Sequence, residues 1–234
     1  MFMAACCYEV TGEKYLAIVN KARLDKGFRG TKPIPHSVLL EGDLFEIVEF
    51  DGDEVGEDDI EGVIHTEKDA IVQVASGIQQ TEKPGVTLWH LDRIDQTVGL
   101  DGMFVWDNET EDIDVYIVDT GVYAGHTDFG ERVLPGKNVY DPSDAHDTGS
   151  IDCNGHGTHV ASLAAGTTYG VAKQATIIPV KAMGCDGKGT VSAIVKALQY
   201  VIFSAKSRGR KSVVNMSITS PLSQVLNTAT EAAT

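Results

Sequence analysis

Short apolar runs alternate with helix-like segments through the second half of this chain, and this alternation constrains its fold more than any other feature. The runs at 115–118, 177–180 and 213–216 have the length of strands, whereas 160–165 and 191–203 have the character of helices. Strands that alternate with helices predict a parallel sheet flanked by helices, which is an α/β fold. Ligands of such sheets lie beyond the carboxyl ends of the strands, so the residues after each run are candidates for function.

Two residues in this half have the chemistry of a proton relay. The first strand ends in an Asp-Thr-Gly stretch at Asp119, where a buried carboxylate needs a partner. His156, in the stretch Asn-Gly-His-Gly-Thr-His, stands at the start of a helix, whose positive dipole end helps to keep the imidazole neutral, as a general base must be. A buried aspartate on the other ring nitrogen would fix the tautomer. Taken singly, each has a structural alternative: Asp119 as a satisfied structural carboxylate and His156 as a helix cap.

The residues around Asp119 and His156 resemble the subtilisin-like serine proteases, and within them the proteinase K and aqualysin branch. The order and spacing of the matching stretches fit that family along nearly all of 86–220. The resemblance implies a serine endopeptidase in which Asp119 is the orienting aspartate and His156 is the general base. The matching stretches are 89–96, 115–122, 126–129, 152–161, 168–173, 180–190 and 213–217.

The resemblance also implies a cleft that holds the substrate as an antiparallel strand between two backbone segments. In this chain the substrate-binding segments are Gly187-Lys188-Gly189 and Ser217-Ile218-Thr219. Main-chain hydrogen bonds then give affinity for almost any extended peptide, and side-chain pockets set the preference. The second segment departs from the family, since Ile218-Thr219-Ser220 stands where the family has Leu-Gly-Gly. Side chains are thereby added where glycine lets a substrate backbone approach closely.

The family's nucleophile and oxyanion residue have no counterpart within these 234 residues. The nucleophilic serine belongs to a G-T-S-x-A stretch and the oxyanion asparagine to an A-G-N stretch, and the sequence contains neither. The nearest sequences, Gly166-Thr167-Thr168 and Gly189-Thr190-Val191, carry no serine. We therefore expect this chain alone not to hydrolyse peptides efficiently.

Two interpretations of this chain remain open, and they belong to different functional classes. We favour part of a longer precursor, because the apolar run 213–216 should be an interior strand and is left as a sheet edge, which invites aggregation. The alternative is a non-catalytic pseudoprotease that acts as a protein-binding or inhibitory module. Whether the chain is an enzyme is therefore left open by its sequence.

A small α+β domain is predicted ahead of the catalytic part. Three apolar or alternating runs predict strands, at 15–19, 44–50 and 70–74. Residues 76–85 lack periodicity and have the composition of a linker, so we place the domains at 1–80 and 81–234. By the resemblance, the first is the inhibitory propeptide of a zymogen and the second is the N-terminal part of the catalytic domain, with cleavage between Ala75 and Gln80.

The resemblance implies a disulfide between Cys153 and Cys185, because cysteines at the matching positions are bonded in the aqualysin branch. Two buried free thiols are the alternative. The disulfide would imply an oxidising compartment, and with the resemblance it predicts a protein of the secretory pathway or the extracellular space. The first eight residues are apolar but do not form a complete secretory signal.

Two other kinds of site, a zinc site and a pair of catalytic aspartates, are alternatives for this region of the sequence. Cys153, His156 and His159 suit a zinc site by type, but a fourth ligand at a sensible spacing is missing, so we predict no metal ligands. Asp147 begins a second Asp-Thr-Gly stretch, and two such stretches mark the aspartic proteases, whose paired carboxylates share a proton. The two stretches are too close along the chain to belong to two lobes.

Charge excludes two classes of partner. The chain has 19 Lys and Arg against 34 Asp and Glu, a formal net charge of −15 at pH 7. Because such a charge repels phosphate backbones and anionic headgroups, we expect no nucleic-acid and no membrane partner. The resemblance implies a peptide or protein substrate and an intramolecular propeptide as partners. It implies no required cofactor, and calcium, which the family commonly binds, has no assignable ligand set here.

Overall fold

The computed structural model describes residues 14–20, 36–41, 45–51, 62–74, 88–106, 110–144 and 147–234. These residues divide into two compact units. The first contains the described residues up to Asp69 together with Ser223–Ala232, and the second contains those from Ala70 to Leu222 with the two terminal residues. The predicted division between 80 and 81, the linker and the cleavage region fall within 75–87, outside the described residues.

Eleven strands and four helices occur in the part of the chain that the structure describes. The strands are β1 (Lys14–Asn20), β2 (His36–Glu41), β3 (Phe45–Asp51), β4 (Val63–Lys68), β5 (Ile71–Val74), β6 (Ile113–Asp119), β7 (Lys137–Asn138), β8 (Thr176–Lys181), β9 (Lys188–Thr190), β10 (Lys211–Asn215) and β11 (Ile218–Thr219). The helices are α1 (Trp89–Asp92), α2 (His156–Ala165), α3 (Val191–Arg208) and α4 (Gln224–Ala232).

The first unit is built on a four-stranded antiparallel sheet with the strand order β2-β3-β1-β4. Alternate residues of the central strand β1 share one face, so Tyr15, Ala17 and Val19 pack together with Val48 and Phe50 of β3. The predicted strands at 15–19 and 44–50 correspond to β1 and β3. The sequence did not predict β2 and β4. In β4 only the first two residues are apolar, so the strand lacks the alternation of apolar and polar residues by which the others were predicted.

A helix from the far end of the chain completes this unit. α4 packs against β1 and β4, and Val225 and Ala229 are its buried residues. Glu67 of β4 caps the start of α4, because its carboxylate accepts the N–H groups of Gln224 at 3.0 Å and Val225 at 3.3 Å and the hydroxyl of Ser223. A carboxylate at this position satisfies helix N–H groups that have no partner within the helix and complements the helix dipole.

The second unit contains the α/β fold that the alternating pattern predicts, which is thereby confirmed. Four strands form a parallel sheet in the order β10-β6-β8-β7, and the apolar runs at 115–118, 177–180 and 213–216 fall on β6, β8 and β10. The helix-like segments at 160–165 and 191–203 lie in α2 and α3. β10 lies at an edge of this sheet, as expected, and its Val213 side chain is exposed.

The core of the second unit lies where α2 packs against β6 and β8. Small alanines on the helix allow it to lie close to the β-branched residues of the strands. The buried cluster comprises Val115, Ile117, Val122, Phe129, Ala161, Ala165, Ala175 and Ile177. Within the described ranges, none of the helices combines the length and the apolar character that crossing a bilayer requires.

An ion cluster around a buried carboxylate joins β6 to the end of α3 and to the connection that follows it. Asp114 of β6 has no exposed side-chain surface, and its carboxylate accepts hydrogen bonds from Arg208 at the end of α3 and from Arg210, whose Nε lies 2.8 Å away. Burial raises the pKa of Asp114, but the hydrogen bonds and charges of the two guanidinium groups outweigh that effect and hold it below its usual value. The cluster therefore depends on an ionised carboxylate.

Replacing Asp114 should destabilise the second unit strongly. We expect Asp114→Ala to lower the free energy of unfolding by about 3 kcal/mol, because two guanidinium groups lose the charge that compensates them. Both tryptophans of the chain, Trp89 and Trp106, lie in this unit, so urea unfolding followed by tryptophan fluorescence reports the change. Asp112→Ala is the matched control, since that side chain is 96% exposed and lies 3.6 Å from Arg210, and it should have little effect. Equal effects of the two variants would contradict the prediction.

Candidate active site

Asp119 and His156 meet in the structure. His156 Nδ1 lies 2.8 Å from Asp119 Oδ1 and 3.0 Å from Oδ2, and the Thr120 N–H donates to Oδ1 at 2.7 Å. The Asp119 side chain has no exposed surface, whereas that of His156 is 19% exposed. Burial raises the pKa of Asp119, and the hydrogen bonds from His156 and Thr120 oppose that rise. A proton on Nδ1 that is donated to the carboxylate leaves the lone pair on Nε2, where the ring can accept a proton.

Local backbone structure brings the two residues together. Asp119 is the last residue of β6 and His156 is the first of α2. The residue after the histidine is Gly157, and a Cβ on it would lie 2.1 Å from the Gly121 carbonyl oxygen and 3.1 Å from Asp119 Cβ. Only glycine at this position lets the start of the helix approach the end of the strand so closely.

Asp152 fixes the start of α2 to the end of β6. The donors to its carboxylate are the N–H groups of Asn154 (3.1 Å), Gly155 (2.8 Å) and Thr158 (2.9 Å) and the hydroxyls of Thr120 (2.8 Å) and Thr158 (2.5 Å). The Thr120 hydroxyl in turn accepts the Gly157 N–H at 3.0 Å. These bonds connect both sides of His156 to the residue that follows Asp119, so they hold the imidazole in position against the carboxylate.

A buried cation, Lys181, lies beside the carboxylates of this network. Lys181 of β8 lies opposite Asp119 in the parallel register, is 5% exposed, and donates from its ammonium group to the Thr120 carbonyl. Burial lowers the pKa of Lys181, and the charges of Asp147, Asp152 and Asp119 oppose that shift. For Asp152 burial acts in the opposite direction and raises the pKa, but the hydrogen bonds that the carboxylate accepts outweigh this effect and hold its pKa below the usual value.

The strand β5 lies between the two predicted substrate-binding segments. It is the central strand of a three-stranded sheet with the order β11-β5-β9 and runs antiparallel to both neighbours. The paired residues are Gly189 with Val72, Lys188 with Gln73, Ile218 with Val74, and Thr219 with Gln73. A piece of the chain itself therefore occupies the place in which the sequence predicts a bound peptide.

The carboxyl end of β5 lies beside Gly187, which is also close to the loop that precedes His156. The Val74 N–H donates to the Gly187 carbonyl at 3.0 Å. A Cβ added to Gly187 would lie 3.0 Å from Val74 Cγ2 and 3.4 Å from Asn154 Nδ2, so this glycine separates the strand from a residue two positions before the histidine. Ser217 precedes β11 and takes no part in that pairing, and its hydroxyl donates to Asn215 Oδ1 at 2.9 Å.

The departure from glycine at 219 does not prevent strand pairing here. Thr219 keeps its place opposite Gln73, and both side chains are exposed. The following residue, Ser220, donates to the carbonyl of Pro221 at 2.8 Å. A side chain at 219 therefore faces solvent beside the bound strand and does not separate the two backbones.

A disulfide joins Cys153 to Cys185, with the Cα atoms 5.0 Å apart. It ties the residues before α2 to the turn before β9, and the Asn154 amide donates to the Cys185 carbonyl at 2.9 Å. The alternative of two free thiols is therefore wrong for this structure. Because the sulfur of Cys153 is bonded, a zinc site would lose its thiolate ligand, and His159 remains an exposed residue of α2.

Neither a paired-aspartate site nor a metal site finds support in the described residues. Asp147 accepts hydrogen bonds from Asn138 and from the N–H groups of Gly149 and Ile151, so its carboxylate serves the fold of its own loop. Across the described part of the chain, no group of three or more His, Cys, Asp and Glu side chains could hold a metal ion. The expectations that no cofactor is required and that calcium has no assignable ligands stay predictions.

Comparison with known proteins identifies the family. The profile of the peptidase S8 subtilase family matches residues 110–234. The chain belongs to this family, and its resemblance to the subtilisin-like serine proteases is confirmed.

Curated relatives and solved structures agree with this result. The subtilisin-like serine protease Pen ch 13 of Penicillium rubens is 39% identical over 170 residues, covering 71% of this chain and 40% of the relative. Subtilisin-like protease 6 of Arthroderma benhamiae is 34% identical over 203 residues, covering 82% of this chain and 48% of the relative. A cold-adapted subtilisin-like serine proteinase of known structure is 38% identical with a TM-score of 0.53, covering 62% of this chain and 51% of the other. The chain thus spans less than half the length of these curated relatives.

We predict that Asp152 positions His156. Asp152→Asn places an amide group against the donors of Thr158, so the free energy of unfolding at pH 7 should fall by about 2 kcal/mol. The downfield proton resonance of the His156 Nδ1–H should broaden or disappear, which a merely structural loss elsewhere would not cause. Tryptophan fluorescence during urea unfolding and proton NMR measure the two effects.

The pH dependence of the free energy of unfolding shows whether Asp152 acts through its negative charge or only through the space that its side chain fills. Because its pKa is lowered in the fold, its contribution is fully present above about pH 4 and is lost as the pH falls through the folded value. The difference in stability between the wild type and Asp152→Asn should therefore shrink on acidification. Asp186→Asn is the control, since this exposed carboxylate accepts the Lys188 N–H at 3.1 Å and an amide oxygen can keep that bond. A difference that stays constant with pH would contradict the assignment.

Proposed function

We propose that this chain is the N-terminal part of a subtilisin-like serine endopeptidase precursor, and that it is inactive by itself. The observation that carries the proposal is the contact between His156 Nδ1 and the buried carboxylate of Asp119, at 2.8 Å, in a chain of the subtilase family. A neutral imidazole held in this way is equipped to remove a proton from an alcohol. The alcohol would be the serine of a G-T-S-x-A stretch encoded beyond residue 234.

The two relay residues have distinct tasks in this mechanism. Nε2 of His156 takes the serine proton as the oxygen attacks the peptide carbonyl, and the imidazolium then gives that proton to the leaving amine. Asp119 holds the Nδ1 tautomer and stabilises the imidazolium while it exists. Without the serine there is no acyl intermediate, and loss of the nucleophile typically lowers kcat by about 10⁶. The 234 residues alone should therefore show no efficient hydrolysis.

The N-terminal part has the role of an inhibitory propeptide in this proposal. In support of it, β5 pairs with both β9 and β11, and such a strand excludes any other peptide from the cleft. Cleavage is proposed between Ala75 and Gln80, as the sequence predicts, and these residues lie outside the part of the chain that the structure describes. The precursor is thus a zymogen whose own strand competes with its substrate.

Partners and location follow from the same proposal. The substrates are peptides or unfolded proteins that can adopt an extended conformation, and the propeptide is an intramolecular partner. The disulfide Cys153–Cys185 supports an oxidising compartment, and a proteinase of Thermus sp., 39% identical over 142 residues, is named extracellular. We therefore place the protein in the secretory pathway or outside the cell, without a nucleic-acid or membrane partner.

A pseudoprotease is the second candidate. One observation favours it: the chain carries the relay and a filled cleft but has no G-T-S-x-A stretch within its 234 residues. In that case the cleft or the N-terminal unit would engage a protein partner without catalysis. The two candidates differ in what the transcript encodes after codon 234.

Reading the transcript and labelling the protein tests the proposal. We expect the reading frame to continue into a G-T-S-x-A stretch, and a fluorophosphonate probe to label the longer protein but not the 234-residue chain. In the longer protein, His156→Ala should abolish labelling on the timescale of the wild type, since the serine loses its base. His159→Ala, an exposed position on the same helix, is the matched control and should be labelled normally.

Two outcomes would overturn the proposal. A stop directly after codon 234 would leave the pseudoprotease as the only candidate of the two. Equal labelling of the His156→Ala and wild-type longer proteins would show that the relay does not activate the nucleophile.

A further inference from the structure

We propose that Lys181 is a positioning residue of the relay, because its positive charge keeps the His156 imidazole in the neutral form that accepts a proton. Its ammonium group also holds the Thr120 peptide beside Asp119. The inference rests on the proposed function, since only a general base has to be neutral before the reaction starts. Lys181 is buried and acts through the groups that surround the histidine.

Lys181 lies where three strands of the parallel sheet end. It is the last residue of β8, and it pairs with the last residues of both neighbouring strands, Asp119 of β6 and Asn138 of β7. All three residues are buried. A lysine is almost never enclosed in this way unless it is paired. The carboxyl end of the sheet, where the relay also lies, therefore contains a cation that interacts with its polar neighbours.

The ammonium group of Lys181 contacts the residue that follows Asp119. It donates to the Thr120 carbonyl oxygen, while the Thr120 N–H donates to Asp119 Oδ1 at 2.7 Å. The hydroxyl of the same threonine donates to Asp152 Oδ1 at 2.8 Å. One residue thus links the cation to both carboxylates, so the loss of the ammonium group removes a contact that fixes the position of this link.

Negative charge around His156 makes a neighbouring cation useful. The Asp119 carboxylate contacts its ring, and the Asp152 carboxylate accepts the N–H of the residue before it. Both charges favour the imidazolium form, which cannot accept a proton. Lys181 supplies the opposite charge. Burial lowers its pKa, and the charges of Asp147, Asp152 and Asp119 oppose that shift, so the ammonium group lies within the field of these carboxylates.

Burial decides which of the charges in this region can affect His156. Asp186 and Lys188, on the turn into β9 and in β9 itself, are exposed, so water and salt screen their charges. Asp147 is buried and its carboxylate is fixed by hydrogen bonds. Buried charges are screened much less. Lys181 and Asp147 are therefore the positions at which a change of charge should reach the imidazole.

The test measures the pH at which the His156 ring titrates in the 234-residue chain. The NMR signal of the ring Cε1–H is assigned by its absence in His156→Ala. In Lys181→Met, which keeps the length of the side chain and removes its charge, the midpoint should rise by at least about half a pH unit. In Asp147→Asn, which removes a negative charge beside the lysine, the midpoint should fall.

Lys137→Met is the matched control for the loss of a positive charge. This lysine lies in the neighbouring strand β7, but its side chain is exposed. The midpoint of the His156 titration should therefore change by less than about 0.2 of a unit in this variant.

The opposite signs of the two shifts separate an electrostatic role from a loss of structure. A disordered site would expose the ring in both variants, and both midpoints would then move in the same direction. Lys181→Arg keeps the charge and should return the midpoint toward that of the wild type. Tryptophan fluorescence shows whether each variant is folded, and where Lys181→Met is not, Lys181→Gln takes its place.

A second measurement connects the charge to catalysis in the longer protein. The rate of fluorophosphonate labelling should fall at low pH, where His156 is protonated and cannot activate the serine. In Lys181→Met this fall should occur at a higher pH by the same amount as the shift in the NMR midpoint, while the plateau at high pH keeps most of the wild-type rate. A residue that only supports the fold would lower the plateau instead.

The outcomes distinguish this proposal from the one on which it rests. Opposite shifts in Lys181→Met and Asp147→Asn support the role of Lys181. Unchanged midpoints, or shifts of the same sign, would overturn that role and leave the proposed function intact, because labelling of the longer protein does not depend on them. A longer protein that the probe never labels would contradict the proposed function, whereas the titration of the shorter chain would still decide whether Lys181 controls the charge of the imidazole.

Discussion

The second unit depends on the cost of burying the carboxylate of Asp119. An ionised group without exposed surface is stable only when partners replace its hydration, and here His156 and the Thr120 N–H are those partners. The imidazole can serve only when the start of α2 lies against the end of β6, which requires a glycine at 157 and the bonds of Asp152. The loops around Asp119 and His156 therefore adopt the conformation that gives the buried Asp119 carboxylate its hydrogen-bond partners.

Most of this arrangement could be predicted from the sequence, because the relevant signals are local. The apolar runs have the period and length of the strands they form, and Asp119 and His156 lie at the boundaries of regular elements, where composition changes abruptly. The role of Asp152 could have been found by its position just ahead of a helix, where aspartate is a preferred cap. The role of Lys181 could not have been predicted, because its position beside Asp119 is set only by the pairing of β8 with β6.

The pairing of β5 was harder to predict for a physical reason. The strand at 70–74 and the two segments beside it are each evident in the sequence, but their pairing joins residues more than one hundred positions apart and is decided by tertiary packing. The same limit applies to the first unit, whose strand β4 has only a short apolar run. Its burial is supplied in part by α4, a helix from the opposite end of the sequence.

The closure of the first unit by α4 has a consequence for the timing of folding. β1 to β4 are synthesised early, but the helix that packs on β1 and β4 and receives the Glu67 cap is translated only at residues 224–232. The N-terminal unit therefore cannot finish its packing while it emerges from the ribosome. Until then, the sheet surface that α4 will cover stays open to chaperones, so packing of this early-made sheet waits for a helix that is translated much later.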